Sequence, residues 1–233
     1  MKININFKRA VIFAFNPHNT GMYSVDLAAF RIFESLAARV DYFIPFSRVQ
    51  ASIIQYGQIF VNILHSSSQL ENYDDIIIWG DFTTTPFYGL NDFRNHYFSC
   101  VGEVSGVESF ALWHDIYLLT KLKKGKKRFF SICQNFSMIE QINLGKFRNT
   151  YEELLKRFDL IVPRDSFSSS KLTTFLGNNK NISSTILDAA FFNIKLPNLP
   201  QKKKKREKIK IGYFFGRSDI SNSTDFMQNL IKE

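Results

Sequence analysis

The chain has 233 residues, 45% of them hydrophobic, and a formal net charge of +9. That length suits one large α/β domain or two small ones, and the hydrophobic fraction excludes wholesale disorder. Two cysteines, Cys100 and Cys133, exclude a disulfide framework, and four scattered histidines with no CxxC or HxxxH spacing argue against a zinc site.

The N-terminal MKININFKRAVIFAF is too short and too interrupted by charge to span a membrane, and it lacks the clean apolar run and cleavage site of a signal peptide. A cytoplasmic location is therefore expected. Residues 8–16 read as a buried first strand, followed by the turn NPHNTGM and an amphipathic helix carrying Val25, Ala28, Phe30 and Phe33. DYFIPF reads as a second strand. Residues 51–65 place Ile53, Ile54, Ile59, Phe60, Ile63 and Leu64 at spacings that suggest a helix. NYDDIIIWGDF (72–82) is a continuous apolar strand ending in a Gly-Asp turn, and residues 83–100 read as irregular and aromatic. A helix over 107–122, with His114 as a structural residue, precedes a strand over 127–134.

Residues 147–158 read as a helix with Glu152 and Glu153 early and Lys156 and Arg157 late, as the helix dipole favours. Strand 158–162, the turn RDSFSSS, helix 167–177 and a strand from Ser184 to Leu187 follow. Continuous apolar strands alternating with helices predict an α/β fold: a Rossmann-like parallel sheet with helices on both faces. Ligands bind such sheets beyond the carboxyl ends of the strands. Four polar turns belong there: His18–Gly21, Gly80–Thr85, Arg164–Ser168 and Asp188–Ala190.

The positive charge is concentrated. Lys121–Arg128 holds six cations and Lys202–Lys210 holds seven. Each run is either a solvated loop before a strand or a peripheral contact with an anionic membrane, at about 1 kcal/mol per cation near an acidic surface. Neither interleaves aromatics in a nucleic-acid-binding pattern, so no nucleic-acid partner is expected. The expected organisation is a lobe over 1–195, a basic linker over 196–208 with Pro197 and Pro200, and the start of a second lobe over 209–233.

Several blocks together resemble the polysaccharide pyruvyltransferase family. FDLIVPRDSFSSSKL matches its strand, R-[DE]-x-x-S turn and helix through Arg164, Asp165 and Ser168. TILDAAFF is similar to its strand ending in D-x-A-F, through Asp188, Ala190 and Phe191. HNTGMYSVDLA resembles its N-x-G turn, through Asn19 and Gly21, and IIIWGDF its glycine-rich turn, through Gly80 and Asp81. The blocks span about residues 11–192. Two departures stand out: Met22 follows the N-x-G turn where the family has an acidic residue, with Asp26 further on, and Ala189 stands where the family often has proline.

The resemblance implies the first lobe of a two-lobed fold similar to B-type glycosyltransferases, with the site in the cleft. The implied reaction transfers the enolpyruvyl carbons of phosphoenolpyruvate to two hydroxyls of a sugar or lipid-linked saccharide acceptor, with no metal and no cofactor beyond that donor. It needs a proton donor, a base and cations for the donor's anionic groups. Arg164 is the first choice for a phosphate or carboxylate; its alternative is pairing with Asp165 or capping a helix. Asp165 is otherwise an N-cap, and Ser168 either cradles an anion or completes the helix start. Asn19, Gly21, Gly80 and Asp81 are substrate-binding candidates or plain turn residues. His18 and Asp188 are the catalytic candidates, against a solvated histidine and a structural ion pair. Two other functions remain open: a glycosyltransferase using a nucleotide sugar, and a non-catalytic binding remnant.

Overall fold

The computed structural model describes residues 7–14, 20–35, 39–46, 53–56, 59–102, 105–139, 145, 147–177 and 181–183. All lie in the first of two compact units, Met1–Lys195. The expected linker, second lobe and strand Ser184–Leu187 fall outside the described residues.

Seven strands form one sheet: β1 (Arg9–Phe13), β2 (Val40–Ile44), β3 (Ile53–Tyr56), β4 (Ile59–Ile63), β5 (Asp75–Asp81), β6 (Arg128–Gln134) and β7 (Leu160–Pro163). Their order across the sheet is β3-β4-β2-β1-β5-β6-β7, and every pairing is parallel except β3 with β4. Setting β3 aside, the six parallel strands run third, second, first, fourth, fifth, sixth, which is the doubly wound order of Rossmann-like folds. The order reverses between β1 and β5, which pair in register from Arg9↔Asp75 to Phe13↔Trp79.

The central strands are apolar on both sides because both sides are covered. On β1, Ala10 and Ile12 face one core while Val11 and Phe13 face the other, all fully buried. Helix α1 (Thr20–Ser35) closes the second face with Val25, Ala28, Ala29 and Phe33. The first face is covered by α4 (Gly106–Leu118), α5 (Phe147–Lys156) and α6 (Ser166–Leu176), through Trp113, Ile116, Tyr117, Tyr151, Leu155 and Leu172.

Two expectations are corrected. Residues 51–65 do not form a helix: β3 and β4 make an antiparallel pair, Ile53↔Asn62 to Tyr56↔Ile59. The burial of Ile59, Val61 and Ile63 alternates with period two, and β-branched residues suit that pleat. Residues 83–100 are irregular only as far as Thr85. From Pro86 the backbone is helical: α2 (Pro86–Tyr88), a π turn (Gly89–Phe93) and α3 (Arg94–Val101). Gly89 permits the close approach here, since a Cβ would come within 2.4 Å of the Trp113 ring.

Candidate functional site

The carboxyl ends of β1, β5, β6 and β7 lie along one edge of the sheet. At the end of β5 the chain turns at Gly80, whose φ of 89° is unfavourable for any residue with a side chain. A Cβ there would also sit 3.0 Å from Val25 Cγ1 of α1. The turn that follows is stapled from three sides. Gln134, fully buried at the end of β6, donates through Nε2 to the Gly80 carbonyl (2.9 Å) and to Thr83 Oγ1 (2.8 Å). Its Oε1 accepts from Thr84 N (3.1 Å) and Thr84 Oγ1 (2.9 Å). Trp113 Nε1 donates to the Thr83 carbonyl (2.8 Å), and Tyr151 OH to the Thr84 carbonyl (2.8 Å).

The end of β1 is held in the same way. Tyr117 OH donates to the Phe13 carbonyl (2.8 Å) and Tyr88 OH to the Ala14 carbonyl (2.9 Å). Burial, with Tyr88 and the Asp26 carboxylate adding to it, pushes the Tyr117 hydroxyl well above its ordinary range. Burial raises Tyr151 too. Both tyrosines are thus fixed neutral donors rather than acid–base groups. The switch point between β1 and β5 is rigid because each backbone end is pinned by a buried side chain.

Beyond β6 and β7 lies a polar rim. Arg164 follows β7, half-buried, and its backbone N–H donates to the Gln134 carbonyl (2.8 Å), tying the two strand ends together. Asp165 caps α6: its Oδ1 accepts from Ser168 N (2.6 Å), with extended backbone at the cap. Ser168 is fully buried, and its hydroxyl donates to Asn135 Oδ1 (3.2 Å). Asn135 Oδ1 also accepts from Ser137 N (2.9 Å).

The residues expected from the sequence divide accordingly. Gly80 sits at the switch point, next to Asp81, whose backbone pairs with Gln134. Gly21 is exposed in the first turn of α1. Arg164, Asp165 and Ser168 share the β7 end of the same edge, Asp165 as a helix cap and Ser168 sealed beneath Asn135. His18, Asn19 and Asp188 lie outside the described residues. The sequence reading missed Gln134, Asn135, Trp113 and Tyr151. A polar Gln-Asn pair closing the apolar run FFSIC was the available signal for the first two.

The basic run Lys121–Arg128 sits at the opposite, amino-terminal edge, largely engaged, while Lys202–Lys210 lies outside the described residues. Lys121 pairs with Asp115 (3.3 Å), Lys124 with Asp159 (2.9 Å), Lys127 with Glu71 (3.5 Å) and Arg128 with Asp75 (2.8 Å). No helix among the described residues is long and apolar enough to cross a membrane. Compared with protein-family models and with curated proteins, the chain matches none.

Proposed function

We propose that the chain is the first lobe of a sugar-modifying transferase resembling polysaccharide pyruvyltransferases, acting on cell-surface polysaccharide precursors with phosphoenolpyruvate as donor. The observation that carries this reading is the placement of Arg164 on the same sheet edge as the Gly80 turn, beside a switch point whose strand ends are pinned. Neighbouring strands are roughly 4.8 Å apart, so the two spacings from β5 across β6 to β7 separate these positions by about 10 Å, the span of a small anionic substrate and part of a sugar. A guanidinium offers a planar fork to phosphate or carboxylate. Phe167, 57% exposed in the first turn of α6, supplies a flat apolar face of the kind that packs against a sugar ring.

In the proposed reaction one acceptor hydroxyl adds to C2 of the donor while a proton goes to its methylene carbon, forming the methyl group. A second hydroxyl then displaces phosphate from C2, closing the ketal and releasing its proton with the phosphate. A fixed cation at the donor's anionic end stabilises the charge left on the departing phosphate. The two-lobed arrangement, a saccharide acceptor and a peripheral place at an anionic membrane belong to the same proposal. The doubly wound order equally suits a nucleotide, so a glycosyltransferase using a nucleotide sugar is the second reading.

Calorimetry of the full chain decides between them. The expected result is binding of phosphoenolpyruvate, no binding of a uridine or cytidine diphosphate sugar, and loss of at least about tenfold in affinity in Arg164→Ala. Binding of the nucleotide sugar alone selects the second reading. An Arg164→Ala protein that is folded and binds phosphoenolpyruvate like wild type removes the first.

A further inference from the structure

We infer that Asn135 is a substrate-binding residue of this edge, its side-chain amide locked with both N–H donors facing the ligand's carboxylate or phosphate oxygens. The inference rests on the anionic-donor reading above and adds a residue that the sequence did not single out.

The orientation of the amide follows from its partners. Ser137 N is a backbone donor, so the Asn135 atom it meets at 2.9 Å is the oxygen. Ser168 Oγ donates to that same oxygen at 3.2 Å. With Oδ1 held twice, the Nδ2 group points away from both anchors. It has no hydrogen-bond partner among the described residues, and it is not a sealed buried atom either. The residue is half-buried, immediately past the carboxyl end of β6, where ligands of such sheets bind.

Its neighbourhood suits an anion. The pairing Gln134↔Pro163 and the hydrogen bond from Arg164 N to the Gln134 carbonyl put Asn135 and Arg164 on adjacent strand ends. Gln134, the preceding residue, is fixed by the Gly80–Thr84 turn, so the backbone carrying Asn135 cannot drift. A donor pair held this way needs no reorganisation when an oxyanion arrives, which is where fixed dipoles are most effective. Ser168 then acts through Asn135 as a positioning residue, which explains a fully buried hydroxyl in a turn that otherwise resembles an anion cradle.

The test titrates the full, 15N-labelled chain with phosphoenolpyruvate and follows the Asn135 side-chain amide pair, assigned by its disappearance in Asn135→Asp. The aspartate keeps an oxygen for Ser137 and Ser168 but presents charge instead of donors; Asn135→Ser is the second variant and adds no charge. The expected result is a shift of the Asn135 amide pair on binding, with affinity weakened roughly 10- to 100-fold in both folded variants. If phosphoenolpyruvate shifts other resonances but not this pair, and both variants bind like wild type, the role of Asn135 is overturned while the anionic-donor reading stands. If phosphoenolpyruvate shifts no resonance of the wild-type chain, that reading falls and the role of Asn135 with it.

Discussion

The His114 ring lies against Phe110 and Phe147, with centroids 6.2 and 5.3 Å away, and its buried Nε2 finds no hydrogen-bond partner among the described residues. Burial pulls its pKa below the ordinary 6.5, against the raising effect of Asp115. The unfolded chain therefore takes up the proton first as pH falls. Below about 6.5 the unfolded state binds more protons than the folded one, so this residue's contribution to stability is complete above that pH and declines beneath it. His114→Phe should match or exceed wild type in urea unfolding at pH 8, because an orphaned nitrogen is replaced by a ring in an aromatic cluster. Its advantage should widen as the pH is lowered from 7 to 5. A difference that stays constant over that range would refute the assignment. At this scale Gly80 was legible, since a glycine ending an apolar strand demands an explanation. Gln134 was not: its importance depends on β5 lying beside β6, a long-range fact. Nor could the run SIC announce that Cys133 adopts a positive φ of 62° at the irregularity between Ile132 and Gln134.

Helix α6 shows how an element can mimic a site. Its first turn holds Asp165 and three serines within four residues, Ser166, Ser168 and Ser169, which suggests an anion cradle. Yet Asp165 Oδ1 already occupies the Ser168 N–H, and Ser169 N donates to the Asp165 carbonyl (3.0 Å). Asp165→Ala should cost about 1 kcal/mol in chemical denaturation, and Asp165→Ser should recover much of it. Phosphoenolpyruvate affinity should change little in either. A collapse of affinity with an unchanged unfolding midpoint would make Asp165 a ligand group instead of a cap. The element most misread was β3–β4. Its isoleucines fall at positions compatible with both helical and alternating periods, and only pairing with β2 at Phe43↔Asn62 settles the choice. The parallel strands were legible because burial on both faces leaves long apolar runs that few other environments require.

In the sheet of the described residues the two edges carry different groups. The amino-terminal edge is closed by ion pairs centred on Asp75, 3% exposed, which accepts from Arg9 Nε (3.2 Å) and from Arg128 Nε (2.8 Å) and Nη2 (2.9 Å). The carboxyl-terminal edge carries the turns and the rim of Arg164 and Asn135. If that division holds, stability and ligand affinity should respond to different substitutions. Asp75→Asn leaves two guanidinium groups facing a neutral amide. The expected loss is about 1–3 kcal/mol, kept below the value for a fully buried pair because the Arg128 side chain is 52% exposed. The gap from wild type should narrow in 1 M salt, where the screening length falls to about 3 Å. Phosphoenolpyruvate affinity per folded molecule should be unchanged, because β5 and β6 span the full depth of the sheet between Asp75 and Gly80. Arg164→Ala should show the reverse, a lost affinity with a smaller change in unfolding midpoint. An Asp75→Asn protein that loses affinity while still folded would mean that the edges are coupled through β5, and that the site depends on the register of that strand as much as on the groups along its rim.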